Sequence, residues 1–240
     1  MAKLNRAWTV QPHGQLTTIA EGIQTVEGSI VMPLGNFPRR MTVIALAEGG
    51  SLIWSAIPLE EASMARIEAL GPVRFLVVPN AGHRLDVGAW KARYPQARVI
   101  APPSARDQVA EAAPVDATSD IVNDPAIAFD LVAGTQADEL ALIVTRGEGV
   151  TLILNDILSN VRHPRGIGAK LMTRLLGFGI KRPRTSRPVR RMFVNDPAAV
   201  ASQFRQWAAI PDLRRIIVSH GDVIDHAPAQ ALTVAASDYD

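Results

Sequence analysis

The sequence predicts a four-layer α/β sandwich, in which two mixed β-sheets pack together and helices cover their outer sides. Three observations predict it. The chain has 240 residues, which fits one large α/β domain of ~200–250 residues. Its segments run as β-hairpins, then βαβα, then a β-meander, then αβ, an order that two mixed sheets satisfy. The short apolar run Val73 to Val78 sits between Pro72 and Pro79, the pattern of a strand buried on both faces.

Each element has its own signal. Ile19 to Val26 and Met41 to Ala47 are rich in β-branched residues and predict strands. Between them, Pro33-Leu34-Gly35-Asn36-Phe37-Pro38 is punctuated as a loop. Glu48-Gly49-Gly50 is a hairpin turn leading to a strand at Ser51 to Ser55. Leu59, Met64, Ile67 and Leu70 recur at helical spacing until Gly71-Pro72 stops the helix. A helix from about Leu85 to Tyr94, a strand at Ala97 to Ala101 and a helix at Ser104 to Ala112 follow, with Ser104 expected as the N-cap. This alternation predicts parallel pairing. Ile127 to Val132, Glu139 to Thr145 and Val150 to Leu154 predict an antiparallel meander. A helix at Pro197 to Ala208, a strand at Arg214 to Val218 and a helical tail from about Ala227 complete the chain.

Composition narrows the function classes. An apolar fraction of 48% and a charged fraction of 20% are ordinary for a soluble globular protein. A chain this long buries roughly 70% of its unfolded surface, so its core needs no covalent staple. Cysteine is absent, which excludes disulfides, thiolate metal sites and cysteine nucleophiles. Met1 to Gly14 has no apolar stretch behind Lys3 and Arg6, unlike a secretory signal, and no run approaches the ~18 apolar residues of a membrane span. A cytoplasmic location is the expectation. The formal charge of +2 is too small to argue for nucleic acid. Its distribution is uneven, however, with ten Lys or Arg and no Asp or Glu between Ile157 and Asn195.

Chemistry is expected where loops leave the ends of buried strands. Three segments qualify. They are Pro79-Asn80-Ala81-Gly82-His83-Arg84-Leu85-Asp86, Asn155-Asp156, and Ser219-His220-Gly221-Asp222. Ser29, Ser55 and Ser219 lack a G-x-S-x-G elbow, and no phosphate-binding or dinucleotide-binding glycine motif is present. The plainer reading of the three segments is structural. There, His83 bonds its own loop, Asp86 caps the helix beginning near Leu85, and Asp156 closes a turn. His13 and His163 are expected in solvent, and His226 with Asp222 and Asp225 in a polar surface turn.

Strand then histidine loop, later strand then aspartate, and last strand then His-Gly resembles the order of metal-ligand motifs in the metallo-β-lactamase superfamily. The likeness is greatest to a branch with a degenerate metal-binding motif. Arg40-Met41-Thr42-Val43-Ile44, Pro79-Asn80-Ala81-Gly82-His83, Trp90 with Tyr94-Pro95-Gln96-Ala97, and Leu154-Asn155-Asp156 carry it, over about Leu16 to Asp225. Catalytic members have H-x-H-x-D-H in the first loop, a later histidine, a bridging aspartate and a last histidine. By this resemblance Asp156 takes the place of the bridging aspartate and His220 that of the last histidine. With His83 in the place of the second histidine, Asp86 falls on the last position of the first motif. The middle histidine is replaced in Gly134-Thr135-Gln136, where Glu139 is the nearest acid.

The resemblance therefore implies at most one divalent metal, zinc or else manganese or iron, held by His83, Asp86, Asp156 and His220. Asp86 or Asp156 could instead serve as the base for the attacking water. Two functions are open on these residues. One is a metal-dependent hydrolase of a small-molecule substrate, an anionic ester or lactone, using a metal-activated water. The other is a non-catalytic protein of the same fold, metal-free, that binds a small anion or a partner protein.

The basic stretch 157–195 is expected as an insertion or lid beside that site. Leu171, Leu175 and Phe178 lie at helical spacing within Ile167 to Ile180, and the prolines of Lys181 to Pro188 argue against regular helix. Capture of an anion, contact with an anionic membrane surface, and a plain helix with a solvated basic loop are the readings open to it. Its arginines have no interleaved aromatics, so nucleic acid is not expected.

Overall fold

The computed structural model describes residues 4–32, 35–135, 139–164 and 166–240. The chain divides into two compact units, one of residues 1–29 and 40–128 and one of residues 30–39 and 129–240. Two mixed sheets are present, as the sequence predicts, and the described elements follow the predicted order.

Strands β1 (Thr17–Ala20), β2 (Ile23–Met32), β3 (Gly35–Ala45), β4 (Ser51–Trp54), β5 (Val73–Val77) and β6 (Arg98–Ile100) are ordered in sequence across a six-stranded sheet. Strand β4 pairs antiparallel with β3, whereas β4, β5 and β6 pair parallel, as the alternation of helices and strands requires. Helix α1 (Glu61–Glu68) buries Met64 and Ile67. Helix α2 (Val87–Arg93) buries Val87, Ala89 and Trp90. Trp90 is fully enclosed and stacks on Trp8 at 5.2 Å between ring centres. Ser104, expected as an N-cap, instead lies inside a 3-10 turn, Pro103–Ala105, that begins after Pro102. Helix α3 (Arg106–Ala110) continues from it.

In the second unit, β7 (Ile127–Leu131), β8 (Leu140–Arg146), β9 (Gly149–Leu154) and β10 (Leu213–Val218) form a four-stranded sheet in the order β10-β9-β8-β7. Strands β8 and β9 are antiparallel and β9 and β10 parallel. Helix α4 (Ile167–Leu176) ends at Gly177, whose left-handed backbone (φ 74°) lets its N–H reach the Thr173 carbonyl. Helices α6 (Pro197–Ala208) and α7 (Pro228–Ala236) bury Phe204, Trp207, Leu232 and Ala235 against the sheet residues Leu152, Leu154, Ile216 and Val218. The Asp196 carboxylate caps α6 by accepting from Ala199 N at 3.0 Å, with Pro197 in the first turn.

Two local expectations change. Gly35 to Pro38, read as loop, is strand, the start of β3. Pro38 is tolerated because a strand position that does not donate loses nothing by lacking an N–H. The residues 33–34 and the expected replacement at Gln136 lie outside the described residues. The prolines of 181–188 also mislead, since helix α5 (Arg187–Met192) begins there with Ser186 as N-cap and Pro188 in its first turn. A first-turn N–H has no helical acceptor, so proline costs nothing at that point.

Candidate metal centre

His83 is placed by the end of β5. After Val77, the Asn80 side chain accepts from Gly82 N at 2.9 Å and winds Ala81–His83 into one 3-10 turn. His83 Nδ1 then lies 2.6 Å from the Ser55 Oγ. Ser55 follows β4 directly, donates its N–H to Val77 O at 3.0 Å, and holds φ at +56°. A non-glycine residue in that region is strained by about 1 kcal/mol or more. The strain buys a fixed hydroxyl, 4% exposed as a residue, against one ring nitrogen. The His83 ring thus bonds a side chain through Nδ1, while its backbone N–H donates to Asn80 O at 3.1 Å within the loop.

Asp86 is tied to the N-terminal segment of its own unit. Its carboxylate accepts from Asn5 Nδ2 at 2.8 Å, and Asn5 N donates to Leu85 O at 2.8 Å. Only 1% of the residue is exposed. It stands at the N-cap of α2 but makes no side-chain cap bond there. The carboxylate thus ties the N-terminal segment to the loop. His13 is half-buried, bonds Gly14 O at 2.6 Å and accepts from Glu60 N at 3.4 Å.

In the second unit, sheet register brings Asp156 and His220 together. Val218 of β10 pairs parallel with Leu154 of β9, so each of the two residues lies two positions beyond the same rung of the ladder. His220 Nε2 is 2.7 Å from Asp156 Oδ1, and His220 Nδ1 is 2.7 Å from Pro38 O. A carbonyl oxygen only accepts, so Nδ1 carries a proton and Nε2 is presented to the carboxylate. Nε2 meets that anion favourably only through a proton or a metal ion. Burial alone lowers the His220 pKa; the Asp156 carboxylate and the Pro38 carbonyl outweigh it, and the net shift is upward. The Phe37 ring packs on His220 at 4.8 Å.

The turn holding Asp156 is clamped from beneath. Glu139 Oε1 accepts from Asn155 N at 3.1 Å and from Ile157 N at 3.0 Å, the amides on either side of Asp156. The Asn155 side chain in turn accepts from the Ser219 hydroxyl, linking the two turns. Behind them, Tyr239 donates to Thr185 Oγ1 at 2.7 Å and Thr185 donates to Ile157 O at 2.6 Å. Gly221 allows the chain to turn past Asn160, because a Cβ there would lie 2.1 Å from Asn160 O and the backbone φ is +110°. Sequence reasoning named Glu139 only as an acid near the missing histidine and Ser55 only as a serine without an elbow. Neither carries a motif; each is recognisable only once its partner is in place.

No protein-family model matches the chain, and no curated protein matches it by sequence. Solved structures do. A metallo-β-lactamase from Erythrobacter litoralis, solved with β-mercaptoethanol in its active site, superposes with a TM-score of 0.62 at 16% identity over 93% of this chain and 96% of its own. A metallo-β-lactamase from Pontibacter korlensis gives a TM-score of 0.63 at 12% identity over 93% of this chain and 99% of its own. The metallo-β-lactamase FIM-1 from Pseudomonas aeruginosa, solved in its mono-zinc form, gives 0.62 at 13% identity over 97% and 98%. The chain has the metallo-β-lactamase fold.

Proposed function

We propose that this protein is a metal-dependent hydrolase that binds one divalent metal, zinc or else manganese or iron, through His83, Asp156 and His220. The observation that carries this reading is the His220 ring. Its Nδ1 proton is committed to Pro38 O and its Nε2 to Asp156, the arrangement of a ligand histidine oriented by a backbone carbonyl. His83 has the matching arrangement, with Ser55 on Nδ1. Two histidines and an aspartate are ligand types that suit a metal, and three protein ligands with room for water suit a catalytic zinc. FIM-1, of the same fold, has been solved in a mono-zinc form, which supports a single ion in this reading.

A bound metal would lower the pKa of a coordinated water to about 7 and polarise the scissile carbonyl. The chain supplies the rest. Ser55 and Pro38 fix which nitrogen each histidine presents. Glu139 holds the turn that aims Asp156, and Asp86 or Asp156, where not a ligand, would take a proton from the attacking water. The substrate class is a small anionic ester or lactone, drawn by the cation. A second reading is favoured by the same pair, since His220 and Asp156 complete an ion pair at 2.7 Å and would suit a metal-free cleft that binds a small anion or a partner protein.

Metal analysis of tag-free protein prepared without chelators decides between them. One zinc or manganese per chain is expected, lost in His220→Ala and His83→Ala while circular dichroism stays that of the wild type. Absence of uptake at micromolar metal would refute the hydrolase reading.

A further inference from the structure

Of the six exposed large hydrophobic side chains among the described residues, four lie in the basic stretch 157–195. They are Ile167 at 87% exposure, Leu171 at 59%, Leu175 at 57% and Met192 at 61%. The first three are spaced by four along α4, so they form one outward stripe. The helix is held by its other side, where Ala169, Met172 and Thr173 are buried and Met172 packs with Phe37 and Val161. An apolar outer face is therefore present on a helix that already has an apolar inner face. Core packing does not explain it.

Charge says what meets that face. Lys170 and Arg174 are exposed on the same helix, and Arg162, Lys181, Arg187, Arg190 and Arg191 are exposed around it. No Asp or Glu occurs from 157 to 195. Asp238 reaches Arg182 and Arg184 at 2.5 and 3.8 Å and Asp222 reaches His163 at 3.8 Å, so these aspartates serve groups other than the cations on α4.

We propose that this face docks on an anionic lipid bilayer, with Ile167, Leu171 and Leu175 entering the interface and the exposed lysines and arginines on the headgroups. A second copy of the chain is a poor occupant. A two-fold interface sets a patch against itself, and here it would oppose cations with cations. A protein partner needs roughly 800 Å² on each side, more than one stripe on a ten-residue helix provides. A bilayer needs less, because a few inserted side chains and a basic cluster act together. No helix among the described residues is long and apolar enough to cross a membrane, so the contact is interfacial. Phe37, under α4, also touches His220, which places the docking face one side chain away from that residue. The inference does not depend on a metal being bound.

Sedimentation of the full chain with vesicles tests it. Binding is expected to phosphatidylcholine vesicles containing a quarter phosphatidylserine at low salt, with little to phosphatidylcholine alone and a marked loss at high salt. Leu171→Ser with Leu175→Ser should lower partitioning about tenfold or more, and Lys170→Gln with Arg174→Gln about tenfold. All four positions are exposed, so both variants should keep the wild-type melting temperature. Failure to bind anionic vesicles at low salt would overturn the proposal. So would undiminished binding by the serine variant, or a wild-type dimer in buffer that the serine variant abolishes, since that assigns the stripe to a second copy.

Discussion

Replacing Glu139 tests whether the Asp156 turn is held in the way its hydrogen bonds imply. Its Oε1 accepts from two buried amides, Asn155 N at 3.1 Å and Ile157 N at 3.0 Å. Glu139→Ala removes the acceptor and leaves both donors in a site where Asn155 and Ile157 are fully buried. Each unsatisfied buried donor costs about 1–3 kcal/mol, so the loss is about 2–6 kcal/mol. In a chain of this size 1 kcal/mol corresponds to roughly 2–4 °C, and a central value of about 4 kcal/mol lowers Tm by about 8–16 °C. Glu139→Gln keeps an oxygen in place and loses only charge assistance, costing about 1–2 kcal/mol. Urea denaturation of the three proteins measures the series. Stability of Glu139→Ala within about 0.5 kcal/mol of wild type would refute the clamp. The glutamine variant also separates positioning from stability. If the clamp aims Asp156, folded Glu139→Gln binds zinc roughly tenfold more weakly, whereas a purely structural role leaves zinc affinity unchanged.

Ser55→Gly should divide strain from function, because glycine adopts φ +56° freely but leaves His83 Nδ1 without its hydroxyl. Urea denaturation should show stability unchanged or raised by up to about 1 kcal/mol, while zinc titration should show affinity falling about 10–100-fold; a stability loss with intact affinity would contradict this. The alkaline limb of stability should follow the two tyrosines. Burial pushes Tyr239 up to about 12, and burial with the Glu68 hydrogen bond pushes Tyr94 above its ordinary value. Both favour the neutral phenol in the fold, so their stabilisation is complete below pH 10 and is lost as pH rises from 10 toward 12. The near-ultraviolet tyrosinate band should stay absent at pH 10 in folded protein, and a midpoint at 10 or below would refute the burial of these rings.

How much of this was legible in the sequence depends on the range over which each signal acts. The elements were legible because periodicity and punctuation are local, and the errors fell where one residue type permits two structures. Pro38 in β3 and Pro188 in the first turn of α5 are positions that need no donor, and sequence cannot show which positions those are. The candidate site was legible in part for the same reason. A strand followed by a polar turn marks Asp156 and His220, and the parallel pairing of Val218 with Leu154 then brings the two side chains into contact, so a local motif and a regular sheet suffice. Asp86 passed the same local test, but its partner Asn5, 81 residues away, could not be read from it. Ser55 and Glu139 are 28 residues from His83 and 16 from Asn155, and they act through individual hydrogen bonds that leave no spacing to recognise. The residues that would touch a metal are thus the ones a motif can mark, and the residues that aim them are not. A search of sequences for this kind of site should therefore begin from strand-end turns in register and look for the buried acceptor that holds each turn.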